Sequence, residues 1–415
     1  MTRKILSLLL ILVTVISVSS CAILDGTILP GANPSDKTNG NGGSSITLNG
    51  GDTNNITIST DSELTAAAAS KALLSAVSVY CNFECITFFG TTEVTSGGAG
   101  IIYKLDKEAG DAYIITNYHV VYDASSTTQN HISNDISIYL YGLEATKYEI
   151  PATYVGGSMN YDIAILKVQG STILTESSAV SVGVASSDDI SVLDLAIAIG
   201  NPELRGISAT VGHINVDSEE INLNMTTPEG TSTPINLRVM RTDAAVNAGN
   251  SGGGLFNIKG ELIGIVNAKR AVDSIDNIGY AIPSSLVRAV ADNIIAHCDN
   301  KANESLLKAT LGIKTAAFEC DVNYDTETGE IKKSETTKIT EISEGSAADG
   351  KLSVGDVLVS ISLAGKEYSI TRYYHASEIL LDARVGDTVV LTVLRAGETV
   401  EVTFIINSQM MAAKA

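Results

Sequence analysis

Basic residues are scarce: 27 Lys+Arg stand against 47 Asp+Glu, a formal charge of −20 over 415 residues. That deficit excludes a basic surface for nucleic acid and electrostatic adhesion to anionic lipid. Aromatic residues are few as well, at 5% with no tryptophan, whereas glycine numbers 36 and Val, Ile and Thr are frequent. The body therefore reads as short strands joined by turns, a mainly β chain. No Gly-Lys-Ser/Thr follows any glycine-rich stretch, which excludes a nucleotide loop. Cys81-x3-Cys85 has no matching His/Cys pair at ligand spacing elsewhere, which argues against zinc. Hydrophobic residues at 44% are enough to build cores for two or three domains.

No apolar run reaches the roughly 20 residues that a membrane-crossing helix needs. The longest, from Ile5 to Val18, follows Arg3 and Lys4 and ends in Ser19-Ser20-Cys21. Residues 1–20 are expected to be a leader that is removed. Val-Ser-Ser-Cys is similar to a bacterial lipoprotein box, which implies that Cys21 is the lipidated new N-terminus; plain secretion and an uncleaved anchor are the alternatives. Ser20 departs from the Gly or Ala that commonly precedes such a cysteine. The other four cysteines, Cys81, Cys85, Cys298 and Cys320, form an even set compatible with disulfides outside the cytoplasm, with three connectivities open.

Residues 21–60 are rich in Gly, Asn, Ser and Thr and are expected to be a disordered tether. A helix is expected over 61–76, then strands near 77–89, 100–103, 112–115, 136–141, 163–168, 195–199 and 262–266, a spacing that suggests a barrel or sandwich. A helix near 284–296 and a polar stretch at 299–304 mark a boundary, dividing a body at 61–298 from a smaller module at 305–407.

The candidate chemistry begins with Asp243-Ala-Ala-Val-Asn-Ala-Gly-Asn-Ser-Gly-Gly-Gly-Leu255, a serine flanked by glycines. A nucleophilic Ser251 needs a sharp turn, which Gly249 and Gly252 permit, and two converging backbone N–H groups. It also needs a base. His119 ends the apolar run that starts at Ile114, a more specific setting than those of His131, His213, His297 or His375. Asp162 opens the apolar strand at 163–168, where it can be partly buried and orient the imidazole. Each residue alone has a bland structural reading. The order His, Asp, Ser, with separations of roughly 40 and 90 residues, suits base and acid on one barrel and nucleophile on the next.

Together with Ser96-Gly-Gly-Ala-Gly-Ile-Ile102, Thr116-Asn-Tyr-His-Val120, Asp162-Ile-Ala-Ile-Leu-Lys167, Gly200-Asn-Pro202 and Ile278-Gly-Tyr-Ala-Ile-Pro283, these residues resemble the HtrA (DegP-like) branch of the chymotrypsin-type serine proteases over about residues 62–407. The resemblance implies a double β-barrel, with His119 as base, Asp162 as its orienting acid and Ser251 as nucleophile. It also implies an oxyanion hole from the N–H groups of Gly249 and Ser251. Ala248 and Gly254 depart from the family pattern and are expected to loosen the loop. The specificity pocket floor falls on Ala245, favouring cleavage after small or medium aliphatic residues.

The C-terminal module resembles a PDZ domain, an α+β fold whose carboxylate-binding loop would be Leu311, Gly312 and Ile313 and which adds a peptide as an extra strand. The insertion at 319–333 departs from the compact pattern, and His375 is a candidate to line the groove. The implied function is an ATP-independent endopeptidase acting on unfolded or misfolded protein substrates, without cofactor or metal. It would lie outside the cytoplasm, lipid-anchored to a bacterial cell membrane, and would engage C-terminal peptides through the PDZ-like module. Homotrimers are common in that family. The rival readings are a non-catalytic chaperone or peptide-binding scaffold and an α/β-hydrolase esterase; the second needs its acid and histidine after the serine.

Overall fold

The computed structural model describes residues 46–48, 56–58, 61–87, 90–227, 229–268, 278–299, 305–324, 326–327 and 331–414. The leader expected at 1–20, Cys21 and most of the tether lie outside the described residues. Within the tether, Ile46–Leu48 pairs antiparallel with Ile56–Ile58.

Helix α1 (Asp61–Leu73) buries Ala68 and Ala72, one helical turn apart. It ends before the expected residue 76 because strand β1 (Ala76–Thr87) has already begun. There Val77, Val79, Cys81, Phe83 and Cys85 are buried on one face, with exposed residues between them at Asn82 and Glu84, the period of a strand with one face in the core. Cys81 and Cys85 thus serve as small apolar side chains of a barrel interior.

Strands β1, β2 (Gly90–Asp106), β3 (Asp111–Thr116), β4 (Asp135–Leu140), β5 (Ile150–Ser158) and β6 (Ile163–Val168) close into a barrel in the order β1-β2-β3-β6-β5-β4. A second barrel contains β7 (Leu195–Gly200), β8 (Ser208–Thr226), β9 (Ser232–Thr242), β10 (Gly254–Phe256), β11 (Leu262–Asn267) and β12 (Gly279–Pro283), ordered β8-β9-β12-β11-β10-β7. Closure removes the unpaired edges that an open sheet would expose. This is the expected chymotrypsin-like double barrel. A single turn, α2 (Tyr118–Val121), follows β3 and leads out of the first barrel. Helix α3 (Ser284–Cys298) starts after Pro283 and lays Leu286, Val287, Val290, Ala291 and Ile294 into the core shared with the second barrel.

The C-terminal part forms a sheet ordered β14-β15-β16-β18-β19, from β14 (Ile313–Tyr324), β15 (Ile331–Ile342), β16 (Val357–Leu363), β18 (Thr388–Arg395) and β19 (Glu398–Ile405), with β17 (Lys366–Ser369) paired to β16. Beside it, β13 (Leu306–Ala309) pairs with β20 (Met411–Lys414). Helix α4 (His375–Ile379) faces the second barrel. Arg238 of β9 reaches Glu378 of α4 through two bonds of 2.6 and 2.7 Å, and its guanidinium stacks 3.9 Å from the Tyr374 ring. Arg372 pairs with Asp217 at 3.2 Å, and the Tyr373 hydroxyl donates to Glu220 at 2.6 Å. The β-rich C-terminal part is thus tied to the second barrel by charged and polar contacts.

Two predictions follow from this packing. Removing Arg238 alone leaves the largely buried Glu378 carboxylate without its two bonds, so Arg238→Met is expected to cost about 3 kcal/mol in a urea titration, while the pair Arg238→Met with Glu378→Met recovers most of it. Of the four described thiols, Cys81, Cys85 and Cys298 are buried and Cys320 is exposed. Burial, with the neighbouring Asp135 charge, pushes the Cys81 thiol up to about 12. Of these four thiols, maleimide should label Cys320 alone in the native protein and all of them in guanidinium, as counted by intact mass.

Candidate active site

His119 and Asp162 come from the first barrel. Strand β3 ends in buried Thr116, buried Asn117 follows it, and the α2 turn then carries His119 with its side chain 19% exposed. Asp162 stands just before β6 and is fully buried. Its φ is +49°, a left-handed conformation uncommon outside glycine. Asn117 holds that turn, donating from Nδ2 to the Asp162 carbonyl at 2.8 Å.

The Asp162 carboxylate is satisfied from three directions. Oδ1 accepts the His119 backbone N–H at 3.0 Å, and Oδ2 lies 2.7 Å from His119 Nδ1. Oδ2 also accepts Asn267 Nδ2 at 2.8 Å. With Nδ1 donating to a carboxylate, the lone pair of the imidazole is left on Nε2, where a base needs it.

Ser251 comes from the loop between β9 and β10, and its carbonyl accepts the Ala99 N–H of β2 at 2.8 Å across the seam between the barrels. Its Oγ accepts the Ala268 N–H at 3.2 Å. Among the described residues, Oγ makes no hydrogen bond to His119. The His–Asp half of the constellation is therefore assembled, and the Ser–His bond is not formed.

Gly249 and Gly252 lie at φ +94° and +83°, so the turn uses both in conformations that side chains resist. The Ala248 carbonyl accepts the Glu203 N–H at 2.9 Å, and the Gly249 carbonyl accepts the Asn201 N–H at 3.3 Å. A trans peptide points its C=O and N–H in opposite directions, so clamping the Ala248 carbonyl aims the Gly249 N–H away from that turn. The N–H groups of Gly249 and Ser251 donate to no group among the described residues. Such amides can receive a developing oxyanion.

The expectation that Ala248 and Gly254 loosen this loop needs correcting. Ala248 is held by Glu203, and Gly254 is paired in β10 to Ile199 and Ile265, with the Phe256 ring filling the place of a side chain. Ala245 is exposed, and its carbonyl accepts the Thr210 hydroxyl at 2.9 Å. Asp243, close to it in sequence, turns its carboxylate to the His213 N–H at 2.6 Å.

In the C-terminal part, Leu311 is buried and Gly312 has φ +80°. The Leu311 carbonyl accepts Ala348 N–H and the Gly312 carbonyl accepts Ser343 N–H, while the Leu311 N–H donates to no group among the described residues. Ile313 begins β14, an outer strand of the sheet. His375, in α4, lines a cavity together with Asp188, Ser285 and Arg288.

Sequence reasoning missed Asn267 and Ala268 and read no role for Asn201 and Glu203. The one available signal was a polar amide ending the uniformly buried strand at 262–266. Gly249→Ala would drive a methyl group into the Asn201 carbonyl and oppose the positive φ. It is expected to lower kcat on a peptide substrate about 10²- to 10³-fold, the cost of one oxyanion donor, with KM little changed.

The chain matches the family described as Trypsin-like peptidase domain over residues 98–265. It also matches a Domain of Unknown Function (DUF1522) over residues 209–405. It is 32% identical over 309 residues to Serine protease Do-like HtrA of Bacillus subtilis (strain 168), covering 73% of this chain and 62% of that protein. It is 31% identical over 311 residues to the Periplasmic pH-dependent serine endoprotease DegQ of Escherichia coli (strain K12), covering 74% of this chain and 58% of that protein. Among solved structures it is similar to the HtrA-type protease AlgW with decapeptide, at a TM-score of 0.52 and 23% identity, covering 85% of this chain and 99% of that one.

Proposed function

The chain belongs to the HtrA family of serine proteases, and on that premise we propose that it is an ATP-independent serine endopeptidase of unfolded or misfolded proteins outside the cytoplasm. The observation that carries this reading is the His119–Asp162 pair at 2.7 Å beside a glycine-flanked Ser251 with two unengaged amides. Ser251 Oγ leaves the Ala268 N–H, gives its proton to His119 Nε2 and attacks the substrate carbonyl. The new C–O bond forms as the carbonyl electrons move onto oxygen, where Gly249 and Ser251 N–H groups receive them. His119 then protonates the leaving amine, and water releases the acyl group by the reverse route. Asp162 steadies the imidazolium throughout.

Ala245 would floor a small uncharged pocket and favour cleavage after Val, Ile or Ala. The C-terminal sheet is read as a PDZ-like module at 305–407. Leu311, Gly312 and Ile313 would receive a peptide carboxylate, and β14 would accept the peptide as an added strand. Lipidation at Cys21 would tether the enzyme to a bacterial membrane, and a homotrimer is the assembly proposed for it.

A second reading, a non-catalytic peptide-binding scaffold, is favoured by one observation: Ser251 Oγ is held by Ala268 and not by His119. Cleavage of unfolded casein beside a Ser251→Ala control separates the two. The endopeptidase reading expects products whose new ends follow Val, Ile or Ala, absent from the control. Intact casein with both proteins, and a fluorophosphonate that leaves Ser251 unlabelled, would establish the scaffold instead.

A further inference from the structure

The insertion at 319–333 lengthens one ribbon of the C-terminal sheet. Strand β14 runs for 12 residues, is the outer strand of its sheet, and pairs with β15 as far as Tyr324 opposite Ile331. Residues directly opposite one another in an antiparallel pair share a face. On β15 the face that buries Ile339 and Thr337 continues through Glu335, which accepts from Arg372 at 3.2 Å, and Lys333, which donates to Asp217 of β8 at 2.8 Å. The partners of that face change midway along β14. Ala317 lies opposite Thr337 but Glu319 opposite Thr336, because Phe318 is an extra residue, a bulge. Beyond it Cys320, Val322 and Tyr324 lie opposite Glu335, Lys333 and Ile331. Without the bulge, Glu319, Asp321 and Asn323 would take those places. The bulge therefore turns the apolar set, and not the acidic one, to the side of Asp217. Val322, Tyr324 and Ile331 are nonetheless 57%, 65% and 59% exposed.

We propose that this extension is a further binding subsite, which holds the apolar stretch upstream of a substrate's C-terminus. The proposal rests on the PDZ-like reading above. A peptide with its carboxylate at Leu311, Gly312 and Ile313, running antiparallel to β14, lays about its last five residues along 313–317. The strand edge does not stop there, so the preceding residues run along 318–324. Side chains of an added strand alternate, and every second one is set beside Cys320, Val322 and Tyr324. These are directed at a cavity of about 590 Å³ between Ile331 and Lys333 of the ribbon and Asp188, Asp189 and Asp217 of the catalytic body. Asp217 is paired with Lys333 and Arg372, whereas Asp188 and Asp189 are exposed, so the cavity disfavours an acidic side chain. At Val322 the backbone N–H donates to Asp321 Oδ1 at 3.0 Å, and a peptide carbonyl takes that place on binding. The carboxylate guards the edge against chance pairing. The occupant that fits is an extended, apolar, non-acidic tail about as long as β14, longer than the carboxylate loop alone would read.

The test measures, by fluorescence polarisation, the binding of two labelled peptides to the Ser251→Ala protein, which should not cleave them. One has about twelve residues, alternating Leu and Ser up to a free carboxylate; the other is its last five residues alone. Each is also measured on the same protein carrying Val322→Ser and Tyr324→Ser. The longer peptide is expected to bind about tenfold more tightly than the short one, the worth of two or three partly buried apolar side chains. The double substitution should remove that gain and leave the Kd of the short peptide unchanged. Both positions are exposed, so the fold should survive, as an unchanged melting temperature would show. A long peptide that binds where the short one is too weak to measure, and that the double substitution releases, gives the same support. If the short peptide binds and the longer one binds no tighter, or if the gain survives the double substitution, the proposal is overturned while the PDZ-like reading stands. If neither peptide binds, both fall.

Discussion

A carboxylate with no exposed surface sits in the seam between two β-barrels, and the rest of the site is built to satisfy it. Burying the Asp162 charge is tolerable only with donors on all sides. The first barrel supplies the His119 amide and ring, and the second supplies Asn267. The chain at Asp162 accepts a left-handed conformation in return, held by Asn117. Base, acid and their supports are thus fixed to one another by the docking of two closed barrels, which deform little.

The nucleophile side is arranged differently. Ser251 lies in a loop whose shape depends on backbone groups: the Ala248 and Gly249 carbonyls are gripped by Glu203 and Asn201, and the Ser251 carbonyl by Ala99. Glu203 and Leu204 both have positive φ, at +54° and +57°, so the gripping turn is itself in a conformation that non-glycine residues seldom adopt. Strain of this kind persists only where the surroundings over-determine it. Here it places the Glu203 N–H against the carbonyl whose peptide also carries the oxyanion donor of Gly249.

Much of this was legible in the amino-acid sequence because the chemistry leaves local marks. Glycines at 249 and 252 announce a turn with positive φ, and His119 and Asp162 stand at the ends of apolar strands where a side chain can be half sheltered. The alternation from Val77 to Cys85 gives strand β1. Asn267 left only a faint mark, since a strand-end amide has no local feature saying that it will reach across to another barrel. Its partner is 105 residues away in sequence. The supposed loosening by Ala248 and Gly254 was misjudged for the same reason, because Glu203 and Phe256 hold those positions through folding and not through adjacent composition. Helix α1 ended early because a turn at 74–75 already leads into the strand that starts at Ala76.

The dependence of the site on Asp162 is tested most directly by the rate at which a fluorophosphonate labels Ser251, located by mass spectrometry, in wild type and in Asp162→Asn. An amide at that position can hold the ring in the wrong tautomer and removes the charge that steadies the imidazolium, so labelling should slow by about 10⁴-fold while the far-ultraviolet circular dichroism is unchanged. Labelling of the folded variant at the wild-type rate would contradict a site organised around the buried carboxylate.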